Sequence, residues 1–137
     1  MGNISLFIKL NNFLLSNSRL FFWASFILVM IALFAPSYGA RGEVFNADLL
    51  IHYIMFLVFV GSSFLYLNSN KGISTISILI LLLLFIPASE FVQENFVPGR
   101  GYELSDVLAG YAGVFTGYII YKRYENLRLS EAKLQGK

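Results

Sequence analysis

The sequence predicts an all-α membrane protein, a bundle of four transmembrane helices with both termini in the cytoplasm. Of its 137 residues, 57% are apolar and only 13% are charged. Soluble proteins average roughly 45–50% apolar and 25% charged residues. Four stretches also lack any Asp, Glu, Lys or Arg, namely 20–40, 49–70, 72–89 and 107–121. This depletion and grouping of charge indicate a polytopic membrane protein.

The first three stretches, of 21, 22 and 18 residues, are each long enough for one span, because a helix needs about 20 residues to cross the hydrocarbon core. Without water to satisfy free backbone groups, these spans must be helical. The fourth stretch has only 15 residues. It is long enough only if its helix begins near Leu104 and carries Asp106 in its first turn.

The orientation follows from Lys and Arg, which concentrate on the cytoplasmic side of bacterial membrane proteins. Alternating spans leave Arg41 and Arg100 on one side and eight basic residues on the other. These eight are Lys9, Arg19, Lys71, Lys122, Arg123, Arg128, Lys133 and Lys137. We therefore expect a multi-pass protein of the bacterial inner (cytoplasmic) membrane with its N and C termini inside.

Three regions are expected: an N-terminal segment (1–19), the four-helix membrane domain (20–121) and a basic cytoplasmic tail (122–137). The first region carries apolar residues at helical spacing, which predicts an interfacial amphipathic helix leading into the first span: Leu6, Phe7, Leu10, Phe13 and Leu14. The alternative is a signal peptide cleaved near Ser37-Tyr38-Gly39. The long segment before the apolar run favours a retained anchor.

Composition excludes several kinds of site. The chain has no Cys, which excludes disulfides, thiolate metal sites and cysteine nucleophiles. Its single His excludes any site that needs two imidazoles. A net charge of +2 does not indicate a nucleic-acid partner. No cofactor is predicted, and no known metal-binding spacing is present.

Polar residues recur where three of the predicted helices meet the outer face. Asp48 and His52 share one face of the second span, and Glu90 and Gln93 share one face of the third. At 1.5 Å per residue, His52, Glu90 and Asp106 all lie about 22–25 Å from the opposite ends of their helices. We expect these residues to converge on one pocket near the outer boundary, because ionisable groups at such depth face the bundle interior. One acidic pair should approach within about 6 Å, and Arg100 should lie at the rim.

Each of these residues also has a purely structural explanation. Asp106 or Ser105 would serve as an N-cap, His52 as a hydrogen-bonded interior residue, and Glu90 and Arg100 as solvated loop charges. Solvation is the interpretation we favour for Glu94 and Glu103. A stripe of small residues four apart on the fourth helix predicts close helix packing without chemistry: Ala109, Gly113 and Gly117.

Taken in order, these motifs resemble the VanZ-like family of small membrane proteins. The matching pieces are Pro36 after the first span, Asp48 and His52, Glu90-Phe91-Val92-Gln93, Gly99-Arg100, and Asp106 opening a Gly-rich helix. The resemblance covers roughly residues 36–121. Two positions depart from the family pattern: Gly110 stands where the family usually has Asn, and Leu49 where it tends to have Lys.

The family's namesake is linked to resistance to the lipoglycopeptide teicoplanin, so the resemblance implies a cell-envelope role. The leading hypothesis is an outer-leaflet pocket that binds a lipid-linked cell-wall intermediate or a glycopeptide-type headgroup, with membrane lipids around it. Its predicted ligand-binding residues are Asp48, His52, Glu90, Gln93, Arg100 and Asp106. One alternative is a membrane enzyme with His52, Glu90 and Asp106 as catalytic acid–base residues or as ligands of Mg²⁺ or Mn²⁺. A second is an accessory subunit of an envelope complex or homo-oligomer.

Overall fold

The computed structural model describes residues 2–35, 45–68 and 71–135. Those ranges contain five α-helices and one π-helical turn, which continues the third helix. The helices are α1 (Gly2–Ser16), α2 (Ser18–Phe34), α3 (Phe45–Ser63), α4 (Thr75–Phe96) and α5 (Leu104–Gln135), and the π-helical turn is Phe64–Asn68. Pro36 and the expected cleavage site at 37–39 lie outside the described residues.

The N-terminal helix is separate from the first apolar helix, as expected. Helix α1 meets α2 at a bend of 60°, and Asn17 at the bend is not helical. Its side-chain amide donates to the Phe13 carbonyl at 2.8 Å, which satisfies an acceptor at the end of α1. The break therefore comes at Asn17, two residues before the boundary expected after Arg19.

Two helical segments are long and apolar enough to cross a membrane, Ala47–Leu67 and Thr75–Phe96. Helices α1 and α2 supply a third if the bent pair forms one broken span. Helix α5 begins at Leu104, as its proposed span requires, and then continues without a break past Tyr121 to Gln135. The expected boundary between residues 121 and 122 thus falls inside one helix. The chain is a helical protein with two or three candidate spans among its described residues.

Helices α3 and α5 run parallel to one another and pack closely. The contacts between them follow both helices in the same direction, from Phe56 beside Gly110 to Phe64 beside Tyr121. Buried residues from several helices form the core around this pair, including Val60, Ile86 and Val114. Because α3 and α5 are parallel, their N-terminal ends lie at the same end of the bundle.

Helix α4 runs antiparallel to α3 and α5, so its C-terminal end meets their N-terminal ends. A turn follows at Val97–Arg100, where the Arg100 N–H donates to the Val97 carbonyl at 3.2 Å. Gly99 has a φ of 80°, the value that the third residue of a type II turn requires. This turn, with Pro98 and Gly99 at its centre, directs the chain back towards α5.

An apolar crevice separates α2 from α4. One cavity of about 400 Å³ is lined by residues of α2, α3 and α4, including Phe22, Phe26 and Leu82. A second cavity of about 110 Å³ shares Phe85 and Ala88 with the first and extends to Leu33 and Ser89. The shared residues place the two cavities next to each other between α2 and α4, and we call them together the α2–α4 crevice.

Candidate functional site

The polar residues singled out in the sequence come from three helix ends that meet at one end of the bundle. Asp48 and His52 lie in the first two turns of α3, and Asp106 lies in the first turn of α5. Glu90 and Gln93 lie in the last turns of the antiparallel α4. We call these five residues, together with Arg100 in the connecting turn, the polar cluster.

The His52 imidazole is the centre of the polar cluster. Its Nδ1 lies 3.0 Å from the Asp48 backbone carbonyl and 3.8 Å from both Asp48 Oδ1 and Asp106 Oδ2. Its Nε2 lies on the opposite edge of the ring, 3.3 Å from Glu90 Oε1. The structure thus brings His52, Glu90 and Asp106 together, with one buried carboxylate facing each edge of the ring.

Glu90 and Asp106 are not solvated, because both are buried, and Asp106 is not the N-cap, because it lies inside α5. Glu90 is 1% exposed and Asp106 is 2% exposed, against 3% for His52. Because α5 begins at Leu104, Asp106 is already inside the helix and its own N–H donates to the Glu103 carbonyl. The Asp106 carboxylate faces His52 rather than the end of its own helix.

Arg100 lies at the edge of the polar cluster. Its Nη1 is 3.3 Å from Asp48 Oδ2, and the two side chains are 15% and 28% exposed. These are the more accessible members of the cluster, as expected for a rim. Glu94 and Glu103 are exposed, as the solvated interpretation predicted.

Gln93 has a partner that the sequence did not indicate. Its side-chain amide donates to the Leu33 carbonyl at 2.8 Å, across the boundary between α4 and α2. Leu33 is in the last turn of α2, where carbonyl groups have no partner within the helix. Gln93 therefore ties the end of α2 to the polar cluster. Backbone acceptors of this kind leave no signal in an amino-acid pattern.

Five buried polar atoms of the cluster have no hydrogen-bond partner within the described part of the chain. They are His52 Nε2, Glu90 Oε2, Gln93 Oε1, Arg100 Nε and Asp106 Oδ1. Buried polar groups in native proteins are nearly always satisfied, and leaving one unpaired costs about 1–3 kcal/mol. Such a concentration of unsatisfied groups is typical of a site that receives a ligand, an ion or water.

The cluster is rich in acidic groups. Three carboxylates, those of Asp48, Glu90 and Asp106, face one guanidinium and one imidazole. The Arg100 guanidinium already pairs with Asp48. The arrangement therefore favours cations and hydrogen-bond donors over a bare anion.

The residues that group as metal ligands differ from the expected set. Ligand atoms of Asp48, His52 and Asp106 all lie within 4.8 Å of one another. The sequence had suggested His52, Glu90 and Asp106. Glu90 faces Nε2, whereas both aspartates face Nδ1, so Glu90 lies across the ring from the two aspartates.

The glycine stripe packs α5 against α3. A Cβ at Gly113 would collide with the Tyr53 carbonyl, and one at Gly117 would collide with the Val60 side chain. Gly113 and Gly117 therefore lie where α5 comes close to α3, while Ala109 is only partly buried.

Gly110, the departure from the VanZ-like pattern, has apolar neighbours. An added Cβ there would lie 3.0 Å from the Phe56 ring and 3.1 Å from Ile86. A longer side chain at this position would require both neighbours to move. The polar cluster thus has no side chain at position 110, and Phe56 fills the adjacent space.

Comparison of the chain with protein-family models, with curated proteins and with solved structures finds no match. The resemblance to the VanZ-like family depends only on the motifs themselves.

Proposed function

We propose that this chain is a VanZ-like protein of the bacterial cytoplasmic membrane, with four spans and both termini in the cytoplasm. Its function is to bind the polar headgroup of a lipid-linked or glycopeptide-type envelope molecule at the outer face. The observation that carries this proposal is the position of the polar cluster at one end of the α2–α4 crevice. The crevice reaches Leu33 and Ser89, and their neighbours Gln93 and Glu90 belong to the cluster.

This arrangement suits a ligand that is polar at one end and apolar at the other. The crevice is lined almost entirely by apolar side chains, and its two cavities have volumes of about 400 and 110 Å³. Lipid-binding sites combine such apolar walls with a few convergent polar groups. An acyl or prenyl chain would lie between α2 and α4 while the headgroup contacts Glu90 and Gln93.

The unsatisfied atoms support a particular kind of headgroup chemistry. Glu90 Oε2 and Gln93 Oε1 are acceptors, so they favour hydroxyl, amide or ammonium donors. Sugars and peptides supply such donors in abundance. A glycopeptide or a lipid-linked sugar–peptide therefore fits this part of the cluster better than an isolated phosphate does.

A second function is favoured by the environment of His52. A buried imidazole with a carboxylate on each side, Glu90 and Asp106, resembles the acid–base arrangements of hydrolases and transferases. In an enzyme, His52 would exchange a proton with the ligand while the carboxylates stabilise its charged form. Turnover of a lipid-linked substrate, abolished by His52→Gln, would favour this function over binding alone.

Titration calorimetry with teicoplanin in lipid nanodiscs tests the binding function. We expect Glu90→Gln and the crevice-filling Ala88→Phe each to weaken binding at least tenfold, which is about 1.4 kcal/mol. The matched controls are Glu94→Gln, an exposed carboxylate, and Ile80→Phe, an exposed position on α4. A glycopeptide of the same class without an acyl chain should bind more weakly. Equal binding by all four variants would contradict the proposal.

A further inference from the structure

We propose that Asp48, His52 and Asp106 form a binding site for one divalent cation that prefers oxygen ligands, Mn²⁺ or Mg²⁺. The site lies between α3 and α5, on the edge of the imidazole opposite Glu90. It goes beyond the proposed function, because cation binding here does not require the lipid or glycopeptide ligand.

The spacing of the three donors fits one cation. His52 Nδ1 lies 3.8 Å from Asp48 Oδ1 and 3.8 Å from Asp106 Oδ2, and the ligand atoms of all three residues lie within 4.8 Å of one another. Two ligands on a cation with bonds of about 2.1–2.5 Å are separated by roughly 3–5 Å. The donor atoms therefore need little movement to surround an ion.

Glu90 prepares His52 for this role. Metal-bound histidines usually present their second ring nitrogen to a carboxylate or carbonyl, which fixes the orientation of the ring. Glu90 Oε1 lies 3.3 Å from His52 Nε2, and Glu90 is fully buried. In the cation-bound state, a proton on Nε2 would face Glu90 and leave the Nδ1 lone pair to the cation. Glu90 is thus a positioning residue for the site.

Arg100 plays a similar part for Asp48. Its guanidinium pairs with Oδ2 of Asp48, whereas Oδ1 is the oxygen nearer His52 Nδ1. The ion pair engages one oxygen of the carboxylate and leaves the other towards the site. The partial exposure of these two side chains also gives the ion a route from the outer face.

The buried Asp106 carboxylate is an independent observation that points to a cation. Asp106 is 2% exposed, and its Oδ1 is buried without any hydrogen-bond partner in the described ranges. Its other oxygen approaches His52 no closer than 3.8 Å. An ionised carboxylate is costly to bury without a partner. A divalent cation would supply the missing partner for Asp106.

Cation binding would replace the hydrogen bond of His52 Nδ1 by coordination to the ion. Nδ1 lies 3.0 Å from the Asp48 backbone carbonyl, which only accepts hydrogen bonds, so this contact would require an N–H on Nδ1 when no cation is bound. When the cation binds, this proton leaves to solvent and the Nδ1 lone pair enters the coordination shell. Two carboxylates and one imidazole favour Mn²⁺ or Mg²⁺, and the remaining positions are filled by water.

Electron paramagnetic resonance with MnCl₂ tests the site on the purified full chain in detergent, without added lipid or glycopeptide. We expect one Mn²⁺ per chain to lose its hexaaqua signal, and Mg²⁺ to compete. The bound ion should show spin-echo modulation from one imidazole nitrogen. Absence of stoichiometric binding, absence of the nitrogen modulation, or displacement of Mn²⁺ by Zn²⁺ but not by Mg²⁺ would overturn the proposal.

Variants assign the ligands. Asp106→Asn and His52→Gln should each weaken Mn²⁺ affinity more than a hundredfold, and Glu90→Gln about tenfold through loss of ring orientation. The control is Glu103→Gln, an exposed carboxylate near the start of α5, which should bind as the unaltered chain does. Should Asp106→Asn fail to fold, the nitrogen modulation of the unaltered protein decides the question. Teicoplanin titration in EDTA tests the proposed function separately.

Discussion

Tyr111 on α5 donates its hydroxyl hydrogen to the Leu83 carbonyl on α4, over 3.3 Å. Leu83 precedes Pro87 by four residues, and proline has no N–H to complete the helical hydrogen bond to that carbonyl. Helix α4 nonetheless continues from Thr75 to Phe96 through Pro87. A neighbouring helix thus satisfies the acceptor that proline leaves free, as apolar surroundings require.

Tyr111→Phe should therefore destabilise the protein by about 1 kcal/mol, because the Leu83 carbonyl loses its partner. SDS-induced unfolding in mixed micelles measures this change. In a Pro87→Ala background, residue 87 regains an N–H for the same carbonyl. The cost of Tyr111→Phe should then fall clearly, and an unchanged cost would show that the hydroxyl does not substitute for the missing helical bond.

The glycine stripe gives a second prediction. Gly113→Ala should lower the folded yield sharply, because the new Cβ would meet the backbone of Tyr53 and Leu57 on α3. Gly117→Ala should have a similar effect through Val60. The control is Gly61→Ala on α3, where nothing lies within 4 Å of the new methyl group. It should be neutral or slightly stabilising, since Ala favours helix over Gly by about 1 kcal/mol. Equal yields for all three variants would contradict close packing.

The contact between Gln93 and Leu33 gives a third prediction. Gln93→Glu replaces the amide donor by a carboxylate oxygen beside the Leu33 carbonyl, so two acceptors would face each other. We expect it to destabilise the protein by about 1–3 kcal/mol in the same unfolding assay. Asn95→Asp is a matched amide-to-acid change at an exposed position and should cost less. A smaller loss at residue 93 than at residue 95 would exclude the tie between α2 and α4.

The sequence was sufficient for the features that depend on composition or helical spacing. The absence of charge over 49–70 and 72–89 predicted two helices that are long enough to span a membrane, and the start of α5 at Leu104 followed from the length that a span requires. The spacing of His52, Glu90 and Asp106 from their helix ends predicted that they lie in one layer. Each of these inferences needs only the geometry of single helices.

Features that depend on how helices face one another were not predictable from the sequence. Nothing in the pattern showed that Glu90 faces Nε2 while Asp48 and Asp106 face Nδ1, which changes the grouping of metal ligands. The same holds for the backbone carbonyls of Leu33 and Leu83, since every residue carries one. Rotations of neighbouring helices decide these contacts, and residue spacing does not define such rotations.

The last prediction concerns the fourth span. If α5 crosses the membrane, its two ends lie on opposite sides, and the excess of basic residues after Tyr121 predicts that its C-terminal end is cytoplasmic. The chain has no Cys, so single cysteines report position without background. Gly101 precedes α5 and has open space around a new Cβ, and Ser130 is exposed near the other end.

In intact cells, a membrane-impermeant maleimide should label Gly101→Cys but not Ser130→Cys, and both should react after lysis. Labelling of both in intact cells would show that α5 does not cross, whereas labelling of Ser130→Cys alone would reverse the orientation. Only the second result would remove the polar cluster from the outer face, because Asp106 and Gly101 lie at the same end of α5.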